Sequence, residues 1–157
     1  MNRLQRQAFG PGCVSAAMLI AALAFQYLGG LAPCPICIWQ RWPHVVAVLC
    51  MALMMVLPWR FWALVGAIAM GVNALISLYH TGIERGWWPG PDSCTGGSVG
   101  ELSSGELLDQ IMATDVVLCD QVAWEMWGLS MASWNGLVCV LLAGLWYRAY
   151  ASSSASQ

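Results

Sequence analysis

Apolar residues in this chain fall into long runs rather than short alternating stretches, and the runs define the elements. The first extends from Cys13 to about Leu28, behind a short polar start that carries Arg3 and Arg6. A second runs from Trp42 to Leu57 and a third from Phe61 to Tyr79, separated only by Pro58-Trp59-Arg60. The fourth begins between Ser130 and Ser133 and ends near Tyr150, ahead of a small-residue tail. Each approaches the ~20 residues that carry a helix across ~30 Å of hydrocarbon. The pattern predicts an all-α membrane protein, a four-transmembrane-helix bundle forming a single integral domain, with spans at about 13–30, 42–57, 61–79 and 131–149. The first run is expected to be a retained helix rather than a signal peptide, because Pro33 follows the small-residue site Gly30-Leu31-Ala32.

The joint at Pro58-Trp59-Arg60 is short enough to make the second and third runs an antiparallel hairpin. Pro43 gives the second helix two possible starts, near Trp42, or near Pro35 with a kink at Pro43. In the third run, Ala63, Ala67 and Gly71 offer a small-residue face for close packing, and Asn73 is expected to bond another helix. The connections are about 31–41 and 80–130, the latter rich in Gly, Pro, Trp and acids. Within it, Ser103-Ser104-Gly105-Glu106 matches a capping box followed by Leu107, Leu108, Ile111 and Met112, which predicts a short amphipathic helix on the membrane surface. Trp87, Trp88, Trp124 and Trp127 suit an interfacial belt.

Composition supports a bilayer protein: 59% of residues are hydrophobic, 9% are charged, and all six basic residues are arginine. The arginines form no patch, which excludes nucleic acid as a partner. All eight carboxylates fall between Glu84 and Glu125. Arg3, Arg6, Arg60 and Arg148 lie on the side of the termini and Arg41 and Arg85 on the other, so the positive-inside rule favours cytoplasmic termini. Both connections that carry non-span cysteines then face an oxidising compartment.

Seven cysteines sort by place. Cys13, Cys50 and Cys139 lie in apolar runs and read as small buried hydrophobes. Cys34 and Cys37 form a Cys-x-x-Cys at the membrane edge, four residues before Arg41, while Cys94 and Cys119 lie in the long connection. A thiolate is the reactive form, and a nearby cation or helix N-terminus favours it. Other readings are open: a structural disulfide between Cys94 and Cys119, worth roughly 3 to 4 kcal/mol, or a metal site drawing on His44 and His80. A redox reading needs an electron acceptor. The chain has no Gly-x-Gly-x-x-Gly, so a lipid-soluble quinone is the natural two-electron acceptor. Arg41 would then stabilise charge developing near the quinone carbonyls, or else simply snorkel to headgroups. His80 is either an interfacial residue or a group near the acceptor, and Trp39 and Trp42 either pack on a ring or belong to the belt.

The chain resembles the DsbB family of bacterial disulfide bond formation proteins. The likeness rests on Pro33-Cys34-Pro35-Ile36-Cys37-Ile38-Trp39-Gln40-Arg41, Tyr79-His80-Thr81, the Cys94 and Cys119 pair, and Gly128-Leu129-Ser130-Met131-Ala132-Ser133-Trp134-Asn135. The resemblance implies a multi-pass protein of the bacterial inner membrane that oxidises a periplasmic thioredoxin-fold partner similar to DsbA. It implies that a Cys94–Cys119 disulfide takes electrons from the partner through Cys94, that Cys119 exchanges with Cys34, and that Cys37 faces ubiquinone or menaquinone beside Arg41. Where some members have Tyr-Glu-Arg, this chain has Trp39-Gln40-Arg41, with the arginine kept. The alternatives are a quinone reductase similar to the vitamin K epoxide reductase family, which usually places its Cys-x-x-Cys near the final helix, and a metal-handling membrane protein using Cys34, Cys37, His44 and some of the nine methionines.

Overall fold

The computed structural model describes residues 1–91 and 118–152. Cys94 and the expected amphipathic helix over Ser103 to Met112 lie outside the described residues. Among the described residues four helices form the body: α1 (Arg3–Tyr27), α2 (Pro35–Val56), α3 (Arg60–Glu84) and α4 (Met131–Ser152). A small antiparallel hairpin, β1 (Glu125–Met126) and β2 (Leu129–Ser130), leads directly into α4.

Local chemistry accounts for the helix ends. Asn2 caps α1 in a reciprocal box with Gln5, which also donates to the carbonyls of Met54 and Met55 at the end of α2. Gln7 accepts from Ser152 at 2.6 Å, and the Arg60 guanidinium lies 4.4 Å above the Tyr150 ring. The start of α1, the α2–α3 joint and the end of α4 therefore share one end of the bundle, and the end of α1, the start of α2, the end of α3 and the start of α4 share the other.

The second helix settles the question left by Pro43. It begins at Pro35 and continues through Pro43, so it starts about two turns before the span expected from Trp42, and the first connection shrinks to the residues between Tyr27 and Pro35. Pro35 stands in the first turn, where proline's missing N–H costs nothing and its fixed φ favours helix. The first and third helices also outrun their apolar runs, because Arg3 to Gly12 and His80 to Glu84 continue the helical hydrogen bonding.

Among the described residues, three helices, α1, α2 and α3, are long and apolar enough to cross a membrane. The fourth, at 22 residues, is long enough to span about 33 Å but carries polar residues near both ends. Large apolar side chains point outward on every helix, among them Ile20, Leu49, Ile68, Leu75, Val140 and Leu141, while Ala8, Ala47, Ala63, Cys139 and Ala149 are inside. Lipid as the surrounding solvent explains this inversion, since small residues let helices approach and large ones meet acyl chains.

The most extensive helix pair is α3 with α4. A Cβ on Gly66 would sit 2.7 Å from the Trp146 ring, so glycine is what lets that buried indole lie against α3. The buried face of α3 runs Ala63, Gly66, Met70, Asn73, Ser77 and His80; of the small residues expected to pack, Ala63 is buried and Ala67 packs partly against the core, but Gly71 does not. A strict step of four drifts about 40° per repeat around a helix of 3.6 residues per turn, and by Gly71 it faces open space. Cys50 and Cys139 are buried as expected, but Cys13 is exposed on the outer face of α1.

The hairpin was not expected from the sequence. Its two turn residues, Trp127 and Gly128, both have positive φ, 55° and 73°, as a type I′ turn requires. A tryptophan in the left-handed region is strained. Neighbours hold it there: Trp127 packs edge-on against Trp134, whose indole N–H donates to the Met126 carbonyl, and Arg85 donates to the Gly128 carbonyl at 2.6 Å.

Candidate functional site

Pro33-Cys34-Pro35 places the first thiol at the N-cap of α2. Cys34 adopts an extended backbone, φ −68° and ψ 162°, and its sulfur accepts from the Cys37 backbone N–H at 3.2 Å. The helix geometry brings the side chain of Cys37 back over that first turn, and the two sulfurs lie 2.8 Å apart as a hydrogen-bonded pair. Both are free thiols, Cys34 buried and Cys37 half-buried.

The last turn of α3 closes over this pair. His80, expected at the interface, is 3% exposed with Nε2 at 3.6 Å from the Cys34 sulfur. Glu84, one turn on, brings a carboxylate oxygen to 3.9 Å from the same nitrogen. The Ser130 hydroxyl donates to Glu84 and also contacts Ser133, so the hairpin and the start of α4 are tied to the end of α3.

The Cys34 thiol is held far below its ordinary value, at about 5. The hydrogen bond from the Cys37 thiol is the main cause. Burial opposes it, and the hydrogen bond and charge of His80 and the Cys37 backbone N–H add to the lowering. These contacts favour the thiolate form of Cys34 at neutral pH, and that form is lost as pH falls through about 5. Its alkylation rate is expected to stay flat from pH 8 to 6 and to fall with a midpoint near 5. An ordinary thiol, near 9.0, loses about tenfold per pH unit over that range. The gain in absolute rate at pH 7 is small, because a thiolate of low pKa is also a weaker nucleophile by a Brønsted factor of ~0.4–0.5 per unit. The check is mass-resolved iodoacetamide labelling against pH, and in Cys37→Ala the midpoint should move up by more than one unit.

A cavity of about 260 Å³ opens beside the pair. Met18, Ala22 and Phe25 of α1 form an apolar wall, and Leu118, Ala123 and Trp124 form another, with Trp124 packed on Phe25 at 5.7 Å. Cys34, Cys37, Arg41, His80 and Glu84 also line it. Arg41 Nη1 donates to Gln26 Oε1 at 2.7 Å, which holds the guanidinium between α1 and α2. Trp39 and Trp42 lie on the outer face, 58% and 64% exposed, away from the cavity.

A lattice of buried polar side chains runs from the cavity into the bundle. His44 Nε2 lies 3.0 Å from Asn135 Oδ1, and Asn135 Nδ2 donates to Ser77 Oγ at 2.9 Å. Gln40 Nε2 also donates to Ser77 Oγ, and Asn73 Nδ2 donates to the Gln40 carbonyl at 3.0 Å, the interhelical bond expected of it. His44 therefore belongs to this lattice, and it is absent from the one cluster of His, Cys and acid donors that converges among the described residues, namely Cys34, Cys37 and His80.

Of the residues singled out from sequence, Cys34, Cys37, Arg41 and His80 come together around one cavity. Cys119 joins them from the far side: it is 1% exposed, disulfide-bonded, and packed in a cluster with Cys34, Ile36 and Ile83. Cys94 lies outside the described residues. Glu84, Gln26 and Asn135 were missed. A carboxylate one turn after His80, on an otherwise apolar helix, was the available signal for Glu84.

Helices suited to a bilayer, with a buried dithiol at a helix N-terminus beside an apolar cavity, define a multi-pass membrane protein carrying thiol chemistry. The family described as "Disulfide bond formation protein DsbB" matches residues 6–149. A relative named Disulfide bond formation protein B from Methylococcus capsulatus is 36% identical, with 82% of each chain covered. Another of that name from Verminephrobacter eiseniae is 30% identical, covering 82% of this chain and 75% of its own. No solved structure gives a significant match. The chain belongs to the DsbB family, and its role is that of a membrane thiol oxidase in disulfide bond formation.

Proposed function

We propose that the protein oxidises a DsbA-like, thioredoxin-fold partner in the periplasm and passes the electrons through two cysteine pairs to membrane ubiquinone or menaquinone. The observation that carries this reading is the convergence of the Cys34 and Cys37 sulfurs, Arg41 and His80 on one largely apolar cavity, with Cys119 packed against Cys34. All four helices cross the inner membrane with cytoplasmic termini, a reading supported by the outward Leu137, Val140, Leu141 and Leu145 of α4 and by the arginine distribution.

The residues suit a quinone. Apolar walls from α1 and the 118–124 segment would take a ring, and Arg41 and His80 offer N–H groups to its carbonyl oxygens. A quinone bound there supplies a sink for two electrons and two protons. The chain's own groups do the rest. Cys94 receives the attack of the partner thiolate on the Cys94–Cys119 disulfide, forming a mixed disulfide and freeing Cys119. The second partner thiol resolves that bond, releasing oxidised partner and leaving Cys94 and Cys119 as thiols. Cys119 attacks Cys34 of an oxidised Cys34–Cys37 pair, and Cys94 resolves, so the loop disulfide is restored and Cys34 and Cys37 hold the electrons. The low pKa of Cys34 makes it a good leaving group in that exchange. Glu84 and His80 stand where protons released by the pair can be held.

Stopped-flow mixing of the purified protein with reduced thioredoxin-fold partner and ubiquinone should show quinone reduction matched one to one by partner disulfide. Loss of that turnover in Cys94→Ser is expected. Absence of turnover with both ubiquinone and menaquinone would sink the reading.

A further inference from the structure

We propose that the reduced Cys34–Cys37 pair and His80 form a binding site for one thiophilic, closed-shell cation of the Zn²⁺ or Cu⁺ class, and that this cation silences the dithiol. The binding stands on geometry alone, and only the silencing rests on the functional reading above.

The two sulfurs and the histidine nitrogen all lie within 4.8 Å of one another. Tetrahedral zinc, with Zn–S near 2.3 Å and Zn–N near 2.0–2.1 Å, holds two sulfurs about 3.8 Å apart and a sulfur and a nitrogen about 3.5 Å apart. Cys34 Sγ and His80 Nε2, at 3.6 Å, already have that spacing. The sulfurs, at 2.8 Å, have to part by about 1 Å, replacing a thiol hydrogen bond with two bonds to the cation. The donors come from the N-cap and first turn of α2 and from the end of α3, two helix ends held together by bundle packing, so little ordering is left to binding. All three face the cavity, which leaves a fourth position open to water or an anion.

Charge favours a divalent ion. Two thiolates balance Zn²⁺, and the Glu84 carboxylate, 3.9 Å from His80 Nε2, adds negative field nearby. Binding displaces whatever protons the two thiols still carry and changes no oxidation state. The site exists only in the reduced pair, because a disulfide has no thiolate to offer. Cation and disulfide are therefore mutually exclusive, and a filled site holds Cys34 and Cys37 out of the electron path.

The test uses the full-length protein in detergent, Zn²⁺ as probe, and no quinone or partner. Equilibrium dialysis with metal analysis should give one equivalent on reduced protein, none on protein with the Cys34–Cys37 pair oxidised, and one equivalent on reduced Cys94→Ser/Cys119→Ser. Cys37→Ser should abolish it, and His80→Ala should weaken it at least tenfold. Co²⁺ in place of Zn²⁺ should show thiolate charge-transfer absorption that Cys37→Ser removes. No stoichiometric zinc on the reduced protein, equal zinc on the oxidised protein, or full binding by Cys37→Ser would overturn the site. A protein that binds zinc without reducing quinone fails the functional reading alone, and one that reduces quinone without binding zinc fails this inference alone. Where both hold, zinc should stop quinone reduction and a chelator should restore it. Unchanged turnover at full zinc occupancy would overturn the silencing.

Discussion

Cys37→Ser is expected to drop quinone reduction to background, a loss of at least about 10³-fold, while leaving the helices folded. Serine nearly preserves the volume of a side chain that is only half-buried, so the packing around Ile36 and Ile83 has no reason to change. What disappears is the second sulfur of the pair. With it go the disulfide that, in the proposed relay, accepts electrons from the loop cysteines, and the thiol hydrogen bond that lowers the Cys34 pKa. Non-reducing gels of Cys37→Ser/Cys94→Ser incubated with excess oxidised partner should trap Cys34 in a disulfide with Cys119, the partner leaving as its dithiol, because neither thiol that could resolve the bond remains. Turnover within tenfold of wild type would remove Cys37 from the electron path.

Arg41→Met should lower turnover by about 10² to 10³, the usual effect of deleting one preorganised donor aimed at developing charge. The methionine keeps most of arginine's apolar stem, so it isolates the guanidinium. That group is fixed by the 2.7 Å bond to Gln26, and it lines the cavity holding Cys37. Arg41→Lys should recover part of the rate, as it restores charge without the planar fork. An arginine that merely reaches for headgroups would behave differently: both variants would then turn over normally. Quinone kcat and KM measured beside thermal stability separate the cases, with the expected loss appearing at unchanged Tm.

Much of the fold is legible because lipid imposes a coarse code. Runs of apolar residues near the length of a span announce helices, and α1, α3 and α4 appear where the runs lie. The start of α2 is not legible, because proline is equally at home at position 35 as a first-turn residue and at 43 as a tolerated kink. Neither was the small hairpin, since Trp127-Gly128 lacks the Asn-Gly or Asp-Gly that signals such a turn, and long-range contacts from Arg85 and Trp134 hold it. The cysteines and Arg41 could be found because their chemistry is rare in apolar surroundings. The burial of His80 against Cys34 could not, because residues 46 positions apart meet only through bundle packing. Gln26 gave no signal for the same reason, and Asn135 stood out only as part of the motif before the last helix, with no role attached to it.

The polar lattice of Gln40, His44, Asn73, Ser77 and Asn135 has a consequence for how the helices know their places. Interhelical bonds of this kind contribute only about 0.6 to 2 kcal/mol each, so they are a minor source of cohesion. Their effect is on angle. Turning α4 by one residue, about 100°, would carry Asn135 away from His44 and Ser77 and toward acyl chains, where no group can answer it. Apolar faces of Ala, Leu and Val tolerate many rotations, but this lattice admits one, and it thereby acts as a key that indexes α2, α3 and α4 to a common azimuth.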